Sequence, residues 1–293
     1  MKEQSAHWIT SGDLVIHAVA EGHPEATPLV LVHGYPDNHQ VWDQVASALS
    51  RDYLVIRYDV RGAGRSDKPR RTRDYRLAAL ACDLQAVVDT LIPGREFHLV
   101  AHDWGSIQSW ESVTGGPLQD RIRSYTSISG PCLDHVGFWI RSQLATTGAE
   151  GLGKVLRQFA SSWYVFLFQI PLLPEAIWNA GLDRYWPDYL RTREEVPDAR
   201  FSDAQKADGA YGVKLYRANF LPRLLRPRPR VARCPVQVLV PTRDAYVGPH
   251  LNEHLERWAG KLTVRELDAP HWALLTQPEA ISGAVRSFVT SQA

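Results

Sequence analysis

The chain has 293 residues, enough for one large buried core or for a core carrying a sizeable insertion. Apolar residues make up 44% and charged residues 22%, ordinary proportions for a soluble globular protein. The formal net charge of +1 gives no reason to expect a nucleic acid or an acidic partner. Three scattered cysteines, Cys82, Cys132 and Cys234, contain no CxxC pair, which argues against a disulfide framework or zinc site and for a reducing, cytoplasmic compartment.

In chain order, Leu14–Ala20 reads as an edge strand. Pro28–His33 (PLVLVH) is a continuous apolar run ending at Gly34, the pattern of a strand buried on both faces. Trp42–Leu49 has helical spacing, Tyr53–Tyr58 reads as a strand and Leu77–Leu91 as a helix. Phe97–Ala101 is the next strand, a helix runs from about Gly105, and Ile122–Ile128 is a further strand. The rhythm then stops. It resumes at Val236–Pro241, with a helix around Leu251–Trp258, a strand at Thr263–Leu267 and a last helix at Pro278–Val289.

Alternating strands and helices predict an α/β fold, a mostly parallel central sheet covered by helices on both faces. Residues 134–230 look helical and aromatic, and they divide the core into 1–133 and 231–293. Such an insertion overhangs the carboxyl ends of the strands, where open α/β sheets bind ligands. Trp139, Trp163, Trp178 and Trp186 cluster there, either as packed core or as the lining of an apolar pocket. The run Arg223, Arg226, Arg228, Arg230, Arg233, broken by Pro222, Pro227 and Pro229, reads as an extended surface connection. The N-terminus leads into no long apolar stretch, so no signal peptide is expected. The most apolar segment, Trp163 to Leu173, is too short for a transmembrane span.

The segment His98–Ser106 joins an apolar strand to a helix through a sharp turn flanked by the small residues Ala101 and Gly105. This is the nucleophile-elbow pattern with Asp103 where Ser usually stands. In isolation Asp103 could equally cap the following helix. Leu31–Asp37 is a strand that ends in His33-Gly34 and turns sharply. Asp244 lies just past the strand Val236–Pro241, and His271 lies in the loop after the last strand, with Asp268 as a second candidate acid. The order nucleophile, acid, histidine is that of α/β-hydrolase triads.

These strings together resemble the epoxide hydrolase branch of the α/β-hydrolases. The resemblance rests on HGYPDN at 33–38, YDVRGAGRSDKP at 58–69, HDWGS at 102–106, FQIPLLPE at 168–175 and APHW at 269–272, and covers nearly the whole chain. It implies an α/β-hydrolase fold with a helical lid inserted after the sixth strand. It further implies Asp103 as nucleophile, His271 as general base, Asp244 orienting His271, and the backbone amides of Tyr35 and Trp104 as an oxyanion hole. Two lid tyrosines hold the epoxide oxygen in that family. Tyr164, five residues before Gln169 of the FQ string, matches one. Tyr216, in Leu215-Tyr216-Arg217 where the family has Trp-Tyr-Arg, matches the other. VWD at 41–43, GSIQSW at 105–110 and SISGPCLDHVG at 127–137 also resemble the hydrolase half of actinobacterial proteins in which a short-chain dehydrogenase follows. The chain ends after the last predicted helix, so that second half is not expected within it.

The implied reaction opens an apolar epoxide to a vicinal diol through an alkyl ester on Asp103, with water as second substrate and no metal or organic cofactor. A haloalkane dehalogenase would use the same ester, but one resembling this chain would carry Asn at Tyr35, and a fluoroacetate-type enzyme would carry Arg at Trp104. A non-catalytic binding protein of the same fold is a third reading, and such proteins usually lose a triad member. Oligomeric state is open, a homodimer being one option.

Overall fold

The computed structural model describes residues 4–146, 148–199 and 202–292, so Met1–Glu3, where a leader would begin, lie outside it. Among the described residues, eight strands form one sheet: β1 Ser5–Ser11, β2 Leu14–Glu21, β3 Pro28–Val32, β4 Leu54–Tyr58, β5 Phe97–His102, β6 Ile122–Ile128, β7 Val236–Pro241 and β8 Leu262–Leu267. Their spatial order is β1-β2-β4-β3-β5-β6-β7-β8. β1 runs antiparallel to β2 and β2 to β4, while every later pairing is parallel. β3, β4, β5 and β7 are buried at every position, which explains the continuous apolar run of β3 and the few polar residues in the others.

Helices α1 (Asp43–Leu49), α2 (Leu77–Leu91) and α3 (Trp104–Val113) connect the first six strands. Between β6 and β7 come α4 (Leu133–Thr146), α5 (Gly148–Ser161), α6 (Trp163–Gln169), α7 (Leu173–Ile177), α8 (Asp183–Arg193) and α9 (Gln205–Leu225). After β8 come α10 (Ala273–Thr276) and α11 (Pro278–Thr290). The side chains of β3 alternate between two cores, as the two-residue period of a strand requires. Leu29 and Leu31 pack with Val45 and Leu49 of α1 and Ile281 and Val285 of α11, whereas Val30 and Val32 pack with Leu80 and Leu84 of α2 and Trp110 of α3.

Two sequence expectations need correction. Leu14–Ala20 is not the edge, because β1 pairs outside it over its whole length. β1 escaped notice because its side chains are mostly exposed, with Ile9 the single buried apolar residue, so it carries no apolar alternation. The expected helix at Leu251–Trp258 is two short 3₁₀ turns, Pro249–Asn252 and Leu255–Arg257, separated by His254 in the left-handed region at φ 61°. A side chain other than glycine is strained there, and an α-helix cannot pass through it.

The arginine run is also more structured than expected. Arg223 belongs to α9, and Arg223 and Arg230 both pair with Glu111 of α3 and with the buried Asp134 of α4. That cluster pins the exit of the helical insertion to the core. No single helix among the described residues is long and apolar enough to cross a membrane. The pair Trp163–Gln169 and Leu173–Arg193 passes on length and composition but is bent by 101°.

α9 packs against the loops that follow β3 and β4. Gly209 and Gly212 lie where a Cβ would come within 2.2 Å of the Trp178 ring and 2.4 Å of the Tyr35 ring, so only glycine lets the helix approach this closely. One turn earlier the buried Asp208 accepts hydrogen bonds from Asn38 (3.0 Å) and the Gly64 amide (2.8 Å). Burial pushes its carboxyl up to about 7, against those hydrogen bonds and Lys68, which pull it down. A carboxylate with a raised folded pKa imposes no ionisation cost below its ordinary value of 3.8 and the full cost above about 7. We therefore expect Asp208→Asn, neutral throughout, to gain Tm relative to the parent as pH rises from about 4 to 8, by a few degrees at ~2–4 °C per kcal/mol. A Tm difference that stays flat over that range, followed by thermal melts, would refute it.

Candidate active site

β5 delivers Asp103 at its carboxyl end, and α3 begins at the next residue. Asp103 has φ 50° and ψ −125°, a conformation that costs a residue with a Cβ about 1–3 kcal/mol. Crowding by its neighbours holds it there. A Cβ at Gly105 would come within 2.2 Å of the Val32 carbonyl oxygen, one at Gly130 within 2.3 Å of the Asp103 carbonyl oxygen, and one at Gly34 within 2.3 Å of Asp103 Oδ1. The Asp103 amide donates to the Ile128 carbonyl at 2.9 Å, and Ser106 Oγ donates to the Gly130 carbonyl at 2.6 Å. The carboxylate makes no capping hydrogen bond to α3, so the helix-cap alternative falls.

The carboxylate instead faces the end of β3 and the loop after β8. Its Oδ1 accepts from the Tyr35 amide at 2.7 Å, and its Oδ2 lies 3.6 Å from His271 Nε2. The Trp104 amide, the second expected donor, makes no hydrogen bond to Asp103 among the described residues, although it heads α3 directly after it. His33 holds the β3 turn. Its Nε2 accepts from the Val60 amide at 2.9 Å, so its Nδ1 carries the proton and donates to the Gly34 carbonyl at 2.8 Å. Burial lowers its pKa to about 4, which keeps it neutral.

His271 Nδ1 donates to Asp244 Oδ2 at 2.8 Å. The other oxygen of Asp244 accepts from the Tyr246 and Val247 amides at 2.8 and 2.9 Å, which fixes the carboxylate in its loop. The rival Asp268 points to solvent and pairs with Arg243 at 2.8 Å. His271 is buried, which by itself would lower its pKa. Asp244 and Asp103 on its two sides outweigh that effect and hold it well above the usual imidazole range. That direction favours the protonated imidazole of His271.

Two supports were not singled out in the sequence. His102 Nε2 donates to the His271 carbonyl at 3.0 Å, and the two rings are 4.8 Å apart. Trp272 packs against His271 and donates from Nε1 to Asp37 at 2.9 Å. The available signal was position: each lies next to a candidate site residue in the strings HDWGS and APHW.

Above Asp103 the helical insertion closes over a cavity of about 60 Å³. Asp103, Trp104, Tyr164 and Tyr216 all line it. Tyr164 comes from α6 and Tyr216 from α9, with ring centroids 6.0 Å apart. Arg217 fixes the two helices relative to each other. It donates to the Phe168 and Ile170 carbonyls at 2.7 and 2.6 Å and makes a two-pronged pair with Glu175. Burial first, then the Asp103 charge and, for Tyr216, Tyr164 as well, raise both phenols above their ordinary value, so both stay protonated. Of the four tryptophans of the insertion, Trp139 lines the cavity, Trp178 hydrogen-bonds the Tyr35 hydroxyl, Trp186 stacks on Tyr189, and Trp163 is exposed.

Among the described residues, His17, His39 and Asp59 bring three metal-type donor atoms within 4.8 Å of one another. Both Nδ1 atoms already contact Asp59, which also accepts from the His39 and Arg65 amides. The group is a structural knot joining β2 to the loops after β3 and β4.

The chain belongs to the α/β-hydrolase fold family, whose model matches residues 27–278. Several of the relatives it matches are named epoxide hydrolases. It is 33% identical over 98% of its length to "Probable oxidoreductase EphD" of Mycobacterium tuberculosis, covering 50% of that protein. It is 25% identical over 93% of its length to Epoxide hydrolase 3 of Xenopus tropicalis, covering 74% of that protein. The chain thus spans about half the length of the mycobacterial relatives it matches. Its fold is also that of a Bacillus megaterium epoxide hydrolase solved with an inhibitor, at a TM-score of 0.80 and 19% identity over 97% of this chain and 100% of that one.

The strain at Asp103 is open to measurement. Asp103→Gly and Asp103→Ala both remove the charge, but only Gly relieves the backbone. We expect Asp103→Gly to be the more stable by about 1 kcal/mol, the relief being partly offset by glycine's greater freedom in the unfolded chain. Chemical denaturation giving the reverse order would show that the elbow is unstrained.

Proposed function

We propose that the chain is an epoxide hydrolase that opens an apolar epoxide to a vicinal diol through an alkyl ester on Asp103. In this reading 134–230 is the lid, and 1–133 with 231–293 the catalytic core. The observation that carries it is the pairing, across one cavity, of the Asp103 carboxyl on the elbow with two phenols, Tyr164 and Tyr216, whose pKa burial raises.

An epoxide carbon needs a nucleophile, and its oxygen needs a proton as it leaves. Asp103 attacks without a base, because a carboxylate is already ionised at neutral pH. Tyr164 and Tyr216 hydrogen-bond the ring oxygen and protonate it as the C–O bond breaks. The imidazolium of His271 restores the phenol's proton. Esterification removes the Asp103 charge, one of the two that raise the His271 pKa, so the histidine becomes a neutral base. It then takes a proton from water, whose oxygen adds to the ester carbonyl. The Tyr35 amide, already on Oδ1, and the Trp104 amide stabilise the oxyanion. Collapse releases the diol and returns Asp103 as carboxylate and His271 as imidazolium.

A dehalogenase would use the same ester, but halide leaves without a proton and needs N–H donors rather than phenols.

His271→Gln separates the two half-reactions. Ester formation is expected to survive and hydrolysis to stall, so intact-protein mass spectrometry after incubation with an aryl or alkyl epoxide gains the mass of one epoxide, located on Asp103. Asp103→Ala gains none and forms no diol. A folded Asp103→Ala protein with normal turnover, or an adduct on another residue, would overturn the mechanism.

Single Tyr164→Phe and Tyr216→Phe substitutions are expected to slow ester formation, and the double substitution to lose about 10²–10⁴ in its rate. Any haloalkane side activity should change little. Stopped-flow tryptophan fluorescence measures the step, and an unimpaired double variant would show that other groups supply the proton.

A further inference from the structure

Beyond the reacting end, the cavity runs past α4 and α5 along an apolar wall that includes Val136, Ile140, Val155 and Phe159. One side chain breaks that pattern. Gln158 of α5 lines the cavity and is buried. Its Nε2 donates to Ser162 Oγ at 2.9 Å and to the Tyr246 carbonyl at 3.1 Å. A carbonyl oxygen only accepts, so the amide nitrogen must face it and the orientation of the group is set. That leaves Gln158 Oε1 buried, out of reach of solvent and without a hydrogen-bond partner. Ser162 is also buried in the cavity wall, accepts from Gln158, and has no acceptor for its own hydroxyl proton among the described residues. A native fold seldom leaves such groups unmet.

We propose that Gln158 and Ser162 form a polar subsite for a hydroxyl group carried by the substrate, remote from the ring that Asp103 opens. This rests on the epoxide reading above. The subsite offers one free acceptor and one free donor, and a hydroxyl supplies one of each from a single oxygen. Oε1 belongs to the amide whose nitrogen donates to Ser162 Oγ, so the two oxygens lie near each other. A ketone or ester oxygen would satisfy Ser162 and leave Oε1 unmet. A carboxylate would be repelled by Oε1 and would find no lysine or arginine in the lining. The substrate class is therefore a neutral, mainly apolar epoxide with a distal alcohol.

Gln158 also touches the acid loop, since Tyr246 receives its hydrogen bond and donates to Asp244. A change in turnover alone would not separate binding from support of that loop, so the test reads binding. Terminal epoxyalkanes of increasing chain length are compared in pairs, each ω-hydroxy compound against its methyl-terminated partner. Dissociation constants are taken from quenching of Trp104 and Trp139 fluorescence in Asp103→Ala protein, where the ring is not opened, and turnover is measured separately in the parent. At the chain length that spans the cavity, the hydroxy compound is expected to bind about tenfold more tightly, a factor equivalent to about 1.4 kcal/mol. Adding Gln158→Leu should abolish that preference, and Ser162→Ala should reduce it, which keeps the test open if the leucine variant does not fold. Equal or tighter binding of the methyl-terminated partner at every length, or a preference that survives both substitutions, overturns the subsite. A preserved hydroxyl preference with no turnover of either series supports the subsite and overturns the epoxide reading instead.

Discussion

Everything at this site depends on a backbone held where it would not go by itself. Asp103 sits at φ 50° because β3, β5 and β6 end side by side, and their connecting turns leave no room for another path. Three glycines, at 34, 105 and 130, permit the approach. The strain has a geometric consequence. It turns the carboxylate away from α3, which it would otherwise cap, and towards the Tyr35 amide and His271.

The second constraint is electrostatic. A buried histidine would ordinarily be neutral, as His33 and His102 are, each lowered by burial to about 4. His271 differs because it lies between two carboxylates. Its charge then depends on theirs. In the proposed cycle, esterifying Asp103 is what converts the histidine from acid to base, so the order of steps is set by charge and needs no movement of the ring.

In the proposed cycle the helical insertion supplies the proton donors opposite the carboxylate, Tyr164 and Tyr216. Its position relies on short-range devices: the glycines of α9 against Tyr35 and Trp178, the Arg217 clamp on the α6–α7 turn, and the Arg223 and Arg230 cluster at its exit. These bring residues from α6 and α9, some fifty positions apart, to the same side of one cavity.

The sequence by itself determined the central strands, since short runs rich in apolar residues between turn signals mark strands, and β4 to β7 fall within a residue of the expected bounds. It also determined the elbow, because a strand ending in Ala101-His102-Asp103-Trp104-Gly105, with small residues two positions either side of the Asp, is a local pattern. β1 was illegible because an exposed edge strand needs no apolar code, and the Leu251–Trp258 helix was misread because spacing cannot reveal a left-handed residue at His254. Only the tertiary structure decided between Asp244 and Asp268, which lie at similar loop positions and differ in which one faces His271. The support from His102, the Tyr164–Tyr216 pair and the unmet oxygen of Gln158 likewise depend on side chains meeting across long stretches of chain. Such meetings are set by how packed elements cross, and no local pattern of residues encodes them.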